Sequence, residues 1–86
     1  MSYKPVKVYL TTWCPYCIMA TTYFKKRRIP FERIQVNDYP GGYSALQRKT
    51  NHRTVPQIFI GDQFIGGYDD LIELERNGQL KKILKA

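Results

Sequence analysis

Both cysteines of the chain fall in one four-residue run, Cys14-Pro15-Tyr16-Cys17. Thiols separated by two residues at the start of a helix can meet, and such a pair can cycle between dithiol and disulfide. Pro15 suits the first helical position, where the missing N–H would have had no partner. Cys14 then sits at the helix mouth, where the unpaired amides of Tyr16 and Cys17 and the positive end of the helix dipole favour a thiolate. Cys17, one turn further in and less exposed, is placed to attack a mixed disulfide formed on Cys14. Cys14 reads as the nucleophile and Cys17 as the resolving thiol. Two other uses of the pair are open. A structural zinc site normally needs four ligands, and outside the pair only His52 offers a nitrogen, so no metal is expected. A purely structural disulfide would close a very short loop and constrain the unfolded chain little. Redox exchange is the favoured reading of a Cys-x-x-Cys beside a β-α-β pattern.

The elements around the motif follow from periodicity. Val6, Val8 and Leu10 alternate with Lys7 and Tyr9, which predicts a strand with two distinct faces. A helix is predicted over 15–28, with Cys17, Ala20, Thr21 and Phe24 on one stripe, Tyr23 beside it, and Ile29-Pro30 breaking it. A second strand over 31–36, with Ile34 and Val36 inward, completes a β-α-β unit whose strands should be parallel. After the turn-rich stretch 37–42 comes a helix over 43–51, anchored by Leu46. Residues 57–60 form a compact apolar run suited to an interior strand, and Gly61-Asp62 signals a hairpin returning through 63–65. Gly66-Gly67 ends that strand. Asp69-Asp70 opens a helix with Asp70 and Glu73 at capping-box spacing, Gly78 closes it, and Leu71, Ile72 and Leu74 should face inward. A last short helix offers Leu80, Ile83 and Leu84. The sum is an α/β fold, β-α-β-α-β-β-α-α, with a four-stranded mixed sheet and helices on both faces.

Length and composition restrict the rest. Eighty-six residues make one domain, 1–86, with room for a single core. Hydrophobic residues at 43% and charged residues at 24% are ordinary for a globular chain and argue against disorder. The first five residues show no apolar signal core, and no later stretch approaches a membrane span. A cytoplasmic, reducing setting is therefore expected, in which both thiols are maintained. The formal charge of +7 comes from runs such as Lys25-Lys26-Arg27-Arg28 and Lys81-Lys82 at predicted helix C-termini, where cations complement the dipole and face water. These runs form no nucleic-acid-binding motif, and neither nucleic acid nor membrane is expected as a partner.

Taken together, Cys14-Pro15-Tyr16-Cys17, Thr54-Val55-Pro56 and Gly66-Gly67-Tyr68-Asp69-Asp70, in that order, resemble glutaredoxin of the small dithiol bacterial type. The resemblance covers nearly the whole chain. It implies a thioredoxin-like fold and a glutathione-dependent thiol–disulfide oxidoreductase, with glutathione as co-substrate and no tightly bound cofactor. Disulfide-containing or glutathionylated proteins would be the partners, ribonucleotide reductase being a family-based candidate, and the chain would act as a monomer. It further implies a cis Pro56 that turns the Val55 backbone towards the cysteines, so that its N–H and C=O pair with the cysteinyl part of glutathione like an added strand. Gly67 and the helix start at Tyr68, Asp69 and Asp70 would take the γ-glutamyl end, amides on its carboxylate and the Asp69 side chain on its ammonium. Tyr16 would form part of the groove wall. Trp13, an aromatic beside the nucleophile, could equally contact protein partners or simply pack. His52 reads as a surface helix-end residue without an acid–base role.

The chain departs from the family pattern at the other end of the groove. Family members commonly place a lysine three residues before the first cysteine, where this chain has Thr11, and a middle-helix amide or basic residue where it has Tyr43. Arg53, beside Thr54, is the best substitute for holding the glycine carboxylate of glutathione, ahead of Lys7. Two rival functions fit the same motif: a glutaredoxin-like thioredoxin reduced by a flavoprotein reductase, and an iron–sulfur carrier built from two chains and two glutathiones. Arg53→Ala is expected to raise the apparent KM for glutathione-linked substrates and to leave Cys14 alkylation largely unchanged; an unaltered KM would remove Arg53 from the site.

Overall fold

The computed structural model describes residues 3–86. Met1 and Ser2, the start of the stretch expected to lack a signal core, lie outside the described residues. The elements run β1 (Val6–Leu10), α1 (Pro15–Lys26), β2 (Glu32–Gln35), a 3-10 turn (Val36–Asp38), α2 (Gly42–Thr50), β3 (Gln57–Ile60), β4 (Gln63–Gly66), α3 (Tyr68–Arg76) and α4 (Gln79–Leu84). The sheet order is β2-β1-β3-β4, with β1 parallel to β2 and antiparallel to β3, and β3 antiparallel to β4. This is the four-stranded mixed sheet and the element order that the periodicity predicts.

Alternation along the central strands divides the core. Val6, Val8 and Leu10 of β1, with Ile58 and Ile60 of β3, face a cluster that includes Ala20 and Phe24 of α1, Leu71 of α3, and Leu80 and Leu84 of α4. Tyr9 and Phe59 point the other way, towards Val36 and Leu46. β3 is thus buried on both faces, which explains why 57–60 shows no polar position facing water, whereas β1 keeps Lys7 exposed. Both cysteines belong to the first cluster.

Several boundaries differ from the sequence reading. α1 stops at Lys26 because Arg28 turns left-handed at φ 57°. The Arg28 amide then donates to the Lys25 carbonyl at 3.1 Å and the Ile29 amide to the Phe24 carbonyl at 2.9 Å, a Schellman closure. Ile29 is buried, so it latches the helix end to the core as well as ending the helix. β2 is shorter than 31–36: Val36 is buried as expected, but in the 3-10 turn. α3 begins at Tyr68, not at the aspartates. Gly67 is its N-cap, and the Asp70 carboxylate reaches back to accept the Gly67 amide at 2.9 Å. The acid therefore caps from the third helical position, and the Asp70–Glu73 spacing is not the capping pair. With that phase Leu71 is fully buried, whereas Ile72, expected inward, is half-buried.

α1 is clamped to α3 near their outer ends. The Tyr23 hydroxyl donates to Glu75 Oε1, Arg27 pairs with the same oxygen at 2.6 Å, and the Arg27 guanidinium lies 5.3 Å from the Tyr23 ring centre. Burial, then the Glu75 hydrogen bond and charge, raise the Tyr23 phenol above its ordinary value of 10.0, with Arg27 opposing. A phenol whose pKa is raised on folding stabilises the fold fully below the unfolded value and loses that contribution as pH rises towards the folded one. Tyr23→Phe should cost about 0.5–1 kcal/mol near neutrality, the range for one partly exposed hydrogen bond. In urea unfolding, the gap between wild type and Tyr23→Phe should narrow above pH 10.0; a gap independent of pH would show that folding does not raise the phenol's pKa, and no gap near neutrality that the hydroxyl–carboxylate contact contributes nothing.

Candidate active site

Three chain segments converge around the cysteine pair. The first is the β1–α1 junction. Cys14 is the N-cap of α1, with extended backbone at φ −157° and ψ 103°, and Pro15 follows in the first helical turn. The Cys17 amide donates to Cys14 Sγ at 3.1 Å. In this structure the two sulfurs are joined as a disulfide, with Cα atoms 5.1 Å apart. Of the two amides expected to face the sulfur, the Cys17 amide makes the bond. Both residues are buried, Cys14 at 7% exposure and Cys17 at 3%, so the expected order holds although the mouth is less open than the sequence suggested.

The second segment links α2 to β3. The Val55–Pro56 peptide is cis, as the resemblance implied, and the Val55 carbonyl oxygen lies 3.8 Å from Cys14 Sγ. The loop is held from behind. Tyr43 Oη and Gln47 Nε2 both donate to the Arg53 carbonyl, at 2.9 and 3.0 Å. Gln57, fully buried, donates to the His52 carbonyl at 2.6 Å and accepts from the Thr50 hydroxyl at 2.8 Å. A buried amide side chain needs such partners, and here they tie the loop to β3. Tyr43, the position matching the family's middle-helix donor, thus directs its hydroxyl proton to the loop backbone. The Arg53 side chain is exposed in a depression of about 340 Å³ that it shares with Ser44, Gln47, Arg48 and Asn51.

The third segment is the β4–α3 junction. Gly66 has φ +112°, and a Cβ there would run into the Asp70 side chain, so this position requires glycine. Tyr68, at the start of α3, sets its ring 6.3 Å from that of Tyr16, at a 36° tilt. These two aromatics bring the cysteine helix and the double glycine together. Asp69 and Asp70 are exposed in the first turn of α3. Asp70 already accepts the Gly67 amide; Asp69 follows Tyr68 at the open end of the helix.

Trp13 is 80% exposed and Tyr16 56%, which settles the even choice for Trp13 against core packing. Thr11, in the place of the family lysine, donates its hydroxyl to the Trp13 carbonyl at 3.3 Å. His52 departs from the surface position expected of it. It is half-buried, not a free surface residue: its ring packs edge-on to Phe64, centroids 5.5 Å apart, and Nε2 lies 3.1 Å from Thr54 Oγ1. No local pattern marks a histidine that reaches across to another strand. Among the described residues, no group of three or more His, Cys, Asp or Glu gathers in a way that could hold a metal.

Residues 6–65 match the glutaredoxin family model. The chain belongs to the glutaredoxin family. A glutaredoxin from Pseudomonas aeruginosa is 44% identical over 82 residues, covering 95% of this chain and 98% of that protein. The crystal structure of a buckwheat glutaredoxin–glutathione complex superposes with a TM-score of 0.83 at 33% identity, over 94% of this chain and 76% of that one. The solution structure of a glutaredoxin from Brucella melitensis gives 0.83 at 35% identity, over 99% and 92%. Family, thioredoxin-like fold and the Cys14–Cys17 pair together make the chain a thiol–disulfide oxidoreductase. No helix among the described residues is long and apolar enough to cross a membrane.

The double-glycine junction yields a direct test. Gly66→Ala must either leave the φ +112° conformation or displace the Asp70 cap. It is expected to destabilise by about 2 kcal/mol or more, lowering Tm by about 8 °C or more. A Tm equal to wild type would show that the junction relaxes freely.

Proposed function

We propose that the chain is a glutathione-dependent oxidoreductase that reduces protein disulfides and protein–glutathione mixed disulfides. The observation that carries the reading is the sulfur of Cys14, held by a helix-start amide and facing the Val55 carbonyl next to cis Pro56. An extended thiol-bearing peptide paired with the Val55 backbone would bring its own sulfur to Cys14. The buckwheat relative's complex with glutathione supports that tripeptide as the occupant.

Tyr16 and Tyr68 would wall the groove. Gly67 would permit close approach, and the amides of Asp69 and Asp70 would take the γ-glutamyl carboxylate. Because the Asp70 carboxylate is engaged with the Gly67 amide, Asp69 is the side chain left to receive the ammonium. Arg53 and Thr54 would serve the glycine carboxylate. The exposed Arg53 guanidinium, whose backbone is pinned by Tyr43 and Gln47, fits that role.

In the reaction, the Cys14 thiolate attacks one sulfur of the substrate disulfide, forming a mixed disulfide and expelling the other sulfur as a thiolate that takes a proton from water. From a glutathionylated protein, Cys14 keeps the glutathione and releases the protein thiol. The thiolate of a second glutathione then attacks the bound one, yielding oxidised glutathione and restoring the Cys14 thiolate. From a protein disulfide, Cys17 attacks the mixed disulfide on Cys14, releases the reduced protein and leaves the intramolecular bridge, which two glutathiones reduce. Glutaredoxin potentials of roughly −200 to −230 mV lie near the glutathione poise, so both directions are accessible. The chain would work as a single-domain monomer in the cytoplasm on protein targets such as ribonucleotide reductase.

The two routes separate genetically. Cys17→Ser should keep turnover of a glutathionylated protein and lose most reduction of a protein disulfide, whereas Cys14→Ser should reduce both to background. Loss of both activities in Cys17→Ser would overturn the assigned roles.

A further inference from the structure

His52 touches both walls of the proposed groove. One wall is the loop carrying Thr54, Val55 and Pro56; the other is the turn from β4 into α3. On the loop side, His52 Nε2 lies 3.1 Å from Thr54 Oγ1, the proton coming from whichever of the two the imidazole tautomer leaves as donor. On the other side, a Cβ on Gly67 would lie 3.4 Å from Nε2 and 3.4 Å from the Pro56 carbonyl oxygen. The ring is also seated on Phe64 of β4.

The histidine is itself fixed. Its amide donates to Thr50 Oγ1 at 3.3 Å, and its carbonyl accepts from the buried Gln57 at 2.6 Å. Its backbone is held at both ends, and swinging the imidazole out would break the ring's contacts to Thr54 Oγ1 and Phe64. The His52 ring thus lies between Thr54 and Gly67 on a backbone anchored to α2 and β3.

We propose that His52 is a positioning residue for substrate, acting through the Thr54 hydroxyl and the Gly67 turn to hold the groove at the width of an extended tripeptide; this rests on the glutathione-dependent reading above. Its chemistry is separate from the sulfur exchange, so it affects capture of the glutathionyl group and not the reactivity of Cys14.

Three variants test this in steady-state turnover of a glutathionylated peptide, with iodoacetamide alkylation of Cys14 as a parallel readout. His52→Ala removes wedge and hydrogen bond; His52→Phe fills the space without the bond; His52→Gln returns an amide at similar reach. Loss of one neutral hydrogen bond predicts a KM raised roughly 3- to 10-fold for His52→Ala and His52→Phe. Unchanged kcat and alkylation, and recovery in His52→Gln, complete the expected pattern. A wild-type KM in His52→Ala, a His52→Phe variant as good as wild type, or alkylation falling in step with KM would each overturn it. Should His52→Ala fail to fold, the Phe and Gln variants, which refill the space, decide the matter between them. Wild-type protein that does not turn over the glutathionylated peptide at all would overturn the functional reading and this inference with it, whereas active wild type with indifferent variants overturns the role of His52 alone.

Discussion

A backbone N–H directed at a sulfur is the contact on which the rest of this molecule depends. Cys17 donates its amide to Cys14 Sγ at 3.1 Å because Cys14 occupies the N-cap and Pro15 starts the helix without needing a partner. Two effects compete at that sulfur. Burial at 7% exposure disfavours a charge, while the amide and the helix dipole favour it. A hydrogen bond to a charged group is worth about 1.5–3 kcal/mol, against about 1.4 kcal/mol per pKa unit. The bond and the helix dipole, worth about 0.3–1 kcal/mol, both lower the thiol's pKa, against the burial that raises it. With Thr11 and not a lysine three residues before Cys14, a thiolate there would depend on the backbone for its stabilisation.

The remaining architecture places other groups around that sulfur. β1 ends just before Cys14, β3 begins just after Pro56, and β4 ends at Gly66, so the antiparallel pairings β1–β3 and β3–β4 bring together segments far apart in the chain. The two-sided core holds this register, since slipping any inner strand by one residue would turn its apolar side chains to the wrong face. At the helix layer, the Tyr23–Glu75–Arg27 clamp and the Tyr16–Tyr68 contact keep α1 and α3 together at two points along their length.

Much of this was legible in the residues. Strict alternation in Val6–Leu10, an uninterrupted apolar run at 57–60 and turn chemistry at Gly61-Asp62 fix the sheet. The Cys-x-x-Cys spacing with Pro15 fixes the position of Cys14 at the helix start. Less legible were features that depend on contacts between distant elements. The start of α3 at Tyr68 depends on Asp70 reaching back to Gly67, and an aspartate pair alone does not reveal which residue caps. The left-handed Arg28 that ends α1 has no glycine to announce it and is sustained by burial of Ile29. His52 looked like a surface residue because only the folded sheet brings Phe64 and Gly67 against it.

The central claim is that the Cys14 sulfur is anionic at neutral pH, and the most direct measurement is the pH dependence of Cys14 alkylation in the reduced protein, followed by mass spectrometry. The rate should rise with a half-point at or below about pH 7 and reach a plateau below the range in which ordinary thiols ionise. A half-point near about 8.5, that of an unperturbed cysteine, would mean that the helix-start amide does not stabilise the anion and that the account of reactivity is wrong.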